Sequence, residues 1–90
     1  MHKKELVRVV SKVTNMTTQD VELVLTSLLE IIMVSISKKE VVRLIGFGSF
    51  RFYERRMASH LGQPLESGIS IKTVKFYPGK FFREVLSSSH

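Results

Sequence analysis

One segment sets what this chain can become. Between Thr18 and about Ser37, the residues Val21, Leu23, Val24, Leu25, Leu28, Leu29, Ile31, Ile32, Met33, Val34 and Ile36 would place apolar side chains around nearly the whole circumference of a helix. A helix apolar on all sides must be covered on most of them. The chain has 90 residues, and a domain of that size buries only about 60–65% of its unfolded surface. With 43% hydrophobic residues and no cysteine, it has much to bury and no disulfide to help. The natural cover is a second copy, which places Leu28 and Ile32 in an expected dimer core. Val21–Ile36 is too short and, with Glu22 and Glu30, too charged to span a bilayer. Met1–Val10 is interrupted by Glu5 and Arg8, so no secretory signal is expected and the chain reads as soluble and cytoplasmic.

Ahead of that segment, Leu6, Val9, Val10 and Val13 follow an i, i+3, i+4, i+7 spacing, which predicts an amphipathic helix with Lys3, Lys4, Arg8 and Lys12 on its other face. Asn15-Met16 ends it. Thr17 is the expected N-cap of the second helix, with Asp20 at the capping-box position. Lys38-Lys39-Glu40 is expected to turn the chain into strands.

Val41–Tyr53 reads as two short strands, Val41–Ile45 and one from Gly48 to about Glu54, joined through Gly46-Phe47-Gly48. In the second strand, alternation sends Ser49, Arg51 and Tyr53 to one face and Phe50 and Phe52 to the other. One face is core and the other is a contact surface. Phe47 and Phe50 are accordingly assigned to the dimer core. Arg55–Gly68, polar and punctuated by Gly62, Pro64 and Gly68, is read as the end of a long hairpin arm. Ile69, Ile71 and Val74 mark the returning strand, Pro78-Gly79 punctuates, and Lys80–Leu86 is predicted helical, packing through Phe81, Phe82 and Val85, with Ser87–His90 a frayed tail.

Net charge is +6 with a pI near 10.0, and such an excess favours a polyanion. Chemistry of other kinds finds no support. His2, His60 and His90 have no companions at metal-ligand spacing. No paired carboxylates, nucleophile triad or phosphate loop is present, and Gly46-Phe47-Gly48 lacks the further glycine of a nucleotide-binding turn. Neither enzyme activity nor a cofactor or metal is expected. A membrane-surface role would want a basic amphipathic helix with bulky aromatics.

Two helices, Gly46-Phe47-Gly48-Ser49-Phe50, a proline-bearing arm and Pro78-Gly79-Lys80 opening a last helix occur in an order that resembles the HU and integration host factor family of bacterial histone-like proteins. The resemblance covers essentially the whole chain. It implies an α+β fold: an intertwined dimer with a helical base (1–40), a three-stranded β saddle and arm (41–77, the arm about 54–72) and a C-terminal helix and tail (78–90). The implied function is low-specificity binding and bending or compaction of double-stranded DNA through phosphates and the minor groove, at the nucleoid. The dimer would be a homodimer, or a pair with a paralogue. Residue by residue, Pro64 falls near the family's wedge between base pairs and Ser49 on the saddle. Lys80 and Arg83 match positions flanking the duplex, and Lys3 falls where the family often carries a base-facing lysine.

The departures concentrate in the arm. The family's tip reads Arg-Asn-Pro, whereas this chain has Gly62-Gln63-Pro64, and from Met57 through Ile71 there is no lysine or arginine. The stretch from the tip to Pro78-Gly79 is also a few residues shorter. Arg55, Arg56, Lys72 and Lys75 would form a basic collar below this neutral tip, contacting phosphates together with Arg51, Lys80 and Arg83. The competing reading is an HU-like dimer whose neutral arms contact another protein.

Overall fold

The computed structural model describes the backbone of residues 1–60 and 62–88 and the side chains of residues 1–57, 62 and 69–88. It forms two compact units, 1–34 and 35–90. In the first, helix α1 (Lys3–Thr14) ends where Asn15 takes the left-handed conformation at φ 59°, one that asparagine tolerates better than most residues. Helix α2 (Thr18–Ser37) follows. Its cap is the expected one: the Asp20 amide donates to Thr17 Oγ1 at 3.1 Å, and the Val21 amide donates to the Thr17 carbonyl at 3.0 Å. Val7 and Val21 are the buried apolar residues among those described, at 6% and 5% exposure.

Helix α2 stops in a Schellman arrangement. The Lys39 amide donates to the Ile36 carbonyl and the Glu40 amide to the Ser35 carbonyl, with Lys39 left-handed at φ 65°. A glycine would sit there without strain. Lys39 is instead positioned with its Nζ 5.4 Å from the Phe52 ring centroid.

The second unit is a three-stranded antiparallel meander in the order β1 (Val42–Leu44), β2 (Gly48–His60) and β3 (Gln63–Pro78), followed by helix α3 (Lys80–Ser88). Two strands are longer than the sequence predicts. β2 runs on through Arg55–His60, and β3 begins at Gln63 rather than Ile69. Local propensity for strand is weak there, and the cross-strand ladder supplies what it lacks. The ladder shifts register between Met57 and Ser59, a bulge on the arm. β1 is shorter than predicted because the chain turns early: the Phe47 amide donates to the Leu44 carbonyl at 2.9 Å, leaving Ile45 fully exposed at the corner. Gly46, at φ 87°, takes the position of a type II turn that needs a left-handed residue. α3 outlasts Leu86 because the Ser87 and Ser88 hydroxyls donate to the Arg83 and Glu84 carbonyls.

An aromatic cluster holds this unit together. Phe47, Phe50, Phe76 and Phe82 come from the turn, β2, β3 and α3. Their centroids are 4.9 Å apart for Phe50–Phe76, 5.1 Å for Phe47–Phe76, 5.3 Å for Phe47–Phe82 and 5.9 Å for Phe76–Phe82. Tilted pairs at such spacing contribute about 0.5–1.5 kcal/mol each beyond burial. The Gly79 amide donates to the Phe47 carbonyl at 2.8 Å, fastening the start of α3 to the turn. Gly48 is where the Phe76 ring comes closest to the backbone: a Cβ added there would stand 2.6 Å from that ring and from the Tyr77 carbonyl oxygen.

The two turn glycines are therefore required for different reasons, and substitution separates them. Gly48→Ala should destabilise the fold by roughly 1–3 kcal/mol through overpacking, with Gly48→Asn worse. Gly46 has open space around its α-carbon, so Gly46→Ala should cost about 1–2 kcal/mol of backbone strain and Gly46→Asn should recover much of it. Urea denaturation of the four variants checks this; asparagine rescue at Gly48, or none at Gly46, would contradict it.

Candidate nucleic-acid interface

The strand register sorts the basic residues. Across the sheet, Arg43 pairs with Ser49, Ser49 with Tyr77, Arg51 with Lys75, Tyr53 with Thr73, Arg55 with Ile71 and Met57 with Ile69. Because side chains alternate along a strand, all of these share one face. The other face carries Val42, Phe50 and Phe76, then Phe52 with Val74, Glu54 with Lys72 and Arg56 with Ser70. The expected division of Ser49, Arg51 and Tyr53 from Phe50 and Phe52 is the one observed.

On the first face the cations are held by aromatic neighbours. Lys75 Nζ lies 3.6 Å from the Tyr53 ring centroid, and the Arg51 guanidinium carbon lies 5.8 Å from that of Tyr77. Both are diagonal cross-strand pairs. Such contacts contribute about 0.5–1 kcal/mol at exposed sites. They hold the cations beside the tyrosine rings without neutralising them. Arg51, Arg55, Lys75 and Tyr77 are exposed and Ser49 and Tyr53 half-buried, so the face offers cations, a hydroxyl and phenols together. It can receive a polyanion along its length.

Arg43 belongs to this face and is not among the residues that the sequence singles out. Its signal is the alternation Val42-Arg43-Leu44, the same in-out-in pattern that identifies Arg51.

The basic collar does not assemble as one group. Arg55 and Lys75 join Arg51, whereas Arg56 and Lys72 lie on the opposite face beside Glu54. The reason is parity: Arg55 and Arg56 are adjacent, Lys72 and Lys75 three apart, and in a strand either separation puts two residues on opposite faces. On that opposite face the Ser70 hydroxyl donates to Glu54, and this hydrogen bond is the main reason that the carboxyl is held below its ordinary range. Lys72, Lys39 and Arg56 add to the lowering. Glu54 is therefore charged at neutral pH and offsets the cations around it.

The remaining candidates lie elsewhere. Lys80 and Arg83 are exposed on α3, where Lys80 is the first residue and the Arg83 amide donates to the Gly79 carbonyl at 3.0 Å. Lys3, in the first unit, donates from Nζ to Thr26 Oγ1 at 2.8 Å. Phe47 and Phe50 meet Phe76 and Phe82 of the same chain, with Phe47 still 45% exposed. Leu28 is 47% exposed and Ile32 half-buried on α2. Pro64 is paired through its backbone with Ser59, one step beyond the His60–Gln63 pair that closes the arm. Its side chain, with those of His60, Leu65 and Glu66, lies outside the described residues, as does His90. Among the described residues no group of acidic or histidine side chains is placed to hold a metal ion, and no helix is long and apolar enough to cross a membrane.

Known proteins share this architecture. A family model described as bacterial DNA-binding protein matches residues 1–87. The DNA-binding protein HU of Thermotoga maritima is 36% identical over 87 residues, covering 93% of this chain and 97% of the relative. Integration host factor subunit beta of Marinobacter nauticus is 33% identical over 95 residues, covering 99% and 95%. Among solved structures, an Anabaena HU–DNA cocrystal structure superposes with a TM-score of 0.80 at 32% identity, over 99% of this chain and 100% of that one. HU from Thermotoga maritima superposes at 0.70 with 32% identity, over 96% and 98%. With helices, three-stranded sheet and arm all matched in order, this chain belongs to the bacterial DNA-binding proteins of the HU and integration host factor family.

Proposed function

We propose that the chain is an architectural, non-enzymatic protein that binds double-stranded DNA as a dimer with low sequence specificity and works at the nucleoid. The observation that carries this reading is the register of the sheet, which gathers Arg43, Arg51, Arg55 and Lys75 with Ser49 on one rigid face. A face dominated by fixed cations supports contact with phosphates, which positions a duplex without reading its base edges. Lys80, Arg83 and Lys3 add further phosphate contacts. Arg56 and Lys72 contribute less, because Glu54 shares their face.

The dimer follows from what one chain leaves uncovered. Leu23, Ile31, Met33 and Phe81 are more than 60% exposed, and Leu28 nearly half. Monomeric proteins rarely show contiguous apolar patches beyond a few hundred Å². A second copy supplies the cover, with Leu28, Ile32, Phe47 and Phe50 at the shared core; a paralogue of similar surface would serve as well.

Bending is the part of the family's behaviour that this chain is expected to perform weakly. Unstacking a base step costs a few kcal/mol, which the wrapped duplex offsets by touching more of the protein surface. From the Arg55–Ile71 pair outward the cationic face gives way to Met57 and Ile69, with Ile69 44% and Ile71 38% exposed. Those apolar rows are also what favours a second reading, in which the arms contact a protein.

Two measurements test the proposal. In fluorescence anisotropy across a salt series, Arg51→Ala/Lys75→Ala should flatten the slope of log K against log salt by about 3.6, four lost contacts in the dimer at about 0.9 each. Arg56→Ala/Lys72→Ala should flatten it by less than half as much. Equal slopes for wild type and both variants would remove the sheet-face assignment, and no binding at low salt would favour the protein-contact reading. In a fluorescence-transfer bend assay, the wild-type dimer should bend a linear duplex only slightly, with Pro64→Ala changing little; a sharp bend abolished by Pro64→Ala would contradict weak bending by the arm.

A further inference from the structure

The sheet face carries a like-charged pair that the strand ladder alone does not keep together. Arg51 and Lys75 stand directly opposite each other, where two cations repel. A lysine on its flexible four-carbon stem can escape that repulsion by swinging out into water. Each cation instead leans onto the tyrosine two places beyond its partner. Lys75 meets Tyr53 and Arg51 meets Tyr77. The two contacts are unequal. Lys75 Nζ, 3.6 Å from the Tyr53 centroid, rests on the ring, whereas the Arg51 guanidinium carbon at 5.8 Å is close to the limit of about 6 Å for such an attraction. Tyr53 is half-buried between Arg51 and Arg55 on the same face of β2, so a partly held ring carries the ammonium. Arg55 has Thr73 on the corresponding diagonal, which offers no ring.

We propose that Tyr53 is a positioning residue for DNA binding: its ring face, and not its hydroxyl, holds Lys75 where a phosphate meets it. The inference rests on the sheet face being the DNA-binding face. An ammonium has three donors, and one turned to the ring leaves the others to reach phosphate oxygens, so both contacts coexist. A lysine that moves freely must be frozen when DNA binds, and freezing such a side chain weakens an interface by about two- to tenfold. The Tyr53 ring meets that cost before DNA arrives. A phosphate seated between Arg51 and Lys75 then removes their repulsion. The attraction comes from the quadrupole of the ring, which phenylalanine shares, so the phenol oxygen is dispensable.

The test is a double-variant cycle on one short duplex, read by anisotropy across a salt series. Tyr53→Ile removes the ring and keeps a strand-favouring side chain, and Tyr53→Phe keeps the ring without its hydroxyl. Tyr53→Phe should bind within about twofold of wild type. Tyr53→Ile should bind about fivefold or more weakly, two protomers each losing about twofold or more, with its salt slope nearly that of wild type because Lys75 still reaches phosphate. Lys75→Ala should instead flatten the slope by about 1.8, two contacts at about 0.9 each. In the Lys75→Ala background, Tyr53→Ile should cost less than twofold, since its effect runs through the missing lysine. In the free protein, NMR should show the Lys75 ε-methylene protons shifted upfield by the ring in wild type and Tyr53→Phe but not in Tyr53→Ile. An equal loss from Tyr53→Ile with or without Lys75 would overturn the proposal, as would a Tyr53→Phe variant as weak as Tyr53→Ile, or an unshifted Lys75 signal in wild type. A wild type that binds no duplex, or a Lys75→Ala variant with unchanged affinity and slope, would overturn the sheet-face reading and this proposal with it. Circular dichroism melts of every variant separate lost binding from unfolding.

Discussion

The close approach of Gly48 to the Phe76 ring and the Tyr77 carbonyl fixes how the sheet is assembled. It sets β2 and β3 in one register, and with a side-chain period of two a slip of one residue would exchange the faces entirely. The aromatic cluster reinforces it from one side, through Phe50–Phe76 packing and the Phe47–Phe82 contact that seats α3. The cationic face on the other side follows from the same alignment. Arg51 meets Lys75, and each of the two cations finds a tyrosine on the diagonal. Two like charges directly opposite would repel if left alone. The tyrosine faces and surrounding water make the pairing tolerable, and a phosphate between them would make it favourable.

Much of this is legible without coordinates. The Thr17 cap, the glycine turn, the start of α3 after Pro78-Gly79 and the inward phenylalanines of β2 each carry a local signal strong enough to read. What escapes is non-local. Phe76 and Phe82 cannot be joined to Phe47 before the partner of each strand is known, because a cluster drawn from four elements has no spacing in the chain. Arg43 is easily passed over because a three-residue strand shows barely one alternation. The collar is a different kind of miss. Arg55 and Arg56 cannot share a face of a strand, so the parity is present in the sequence and proximity alone is the wrong criterion.

The chain also shows how one family scaffold can be weighted differently along its length. The saddle face carries Arg43, Arg51, Arg55 and Lys75, while from Met57 through Ile71 neither the stem nor the tip has a lysine or arginine. Affinity for phosphates and the capacity to bend DNA are separable on such a scaffold: the first needs fixed charges on a face, the second needs contacts that grow as the duplex wraps. On the reading proposed above, a chain that keeps the first and thins the second would cover or gather DNA more than kink it. Its broadly apolar α2 ties either activity to the assembled dimer.

A single strand, β3, presents two faces with different fates, and Lys72 and Lys75 sit on opposite ones. Amine-reactive footprinting read by mass spectrometry, with and without duplex DNA, compares them within one molecule. Binding should protect Lys75 strongly while Lys72 keeps most of its reactivity. Equal protection of the two, or protection of Lys72 alone, would contradict the division of the sheet into a face for DNA and a face for packing.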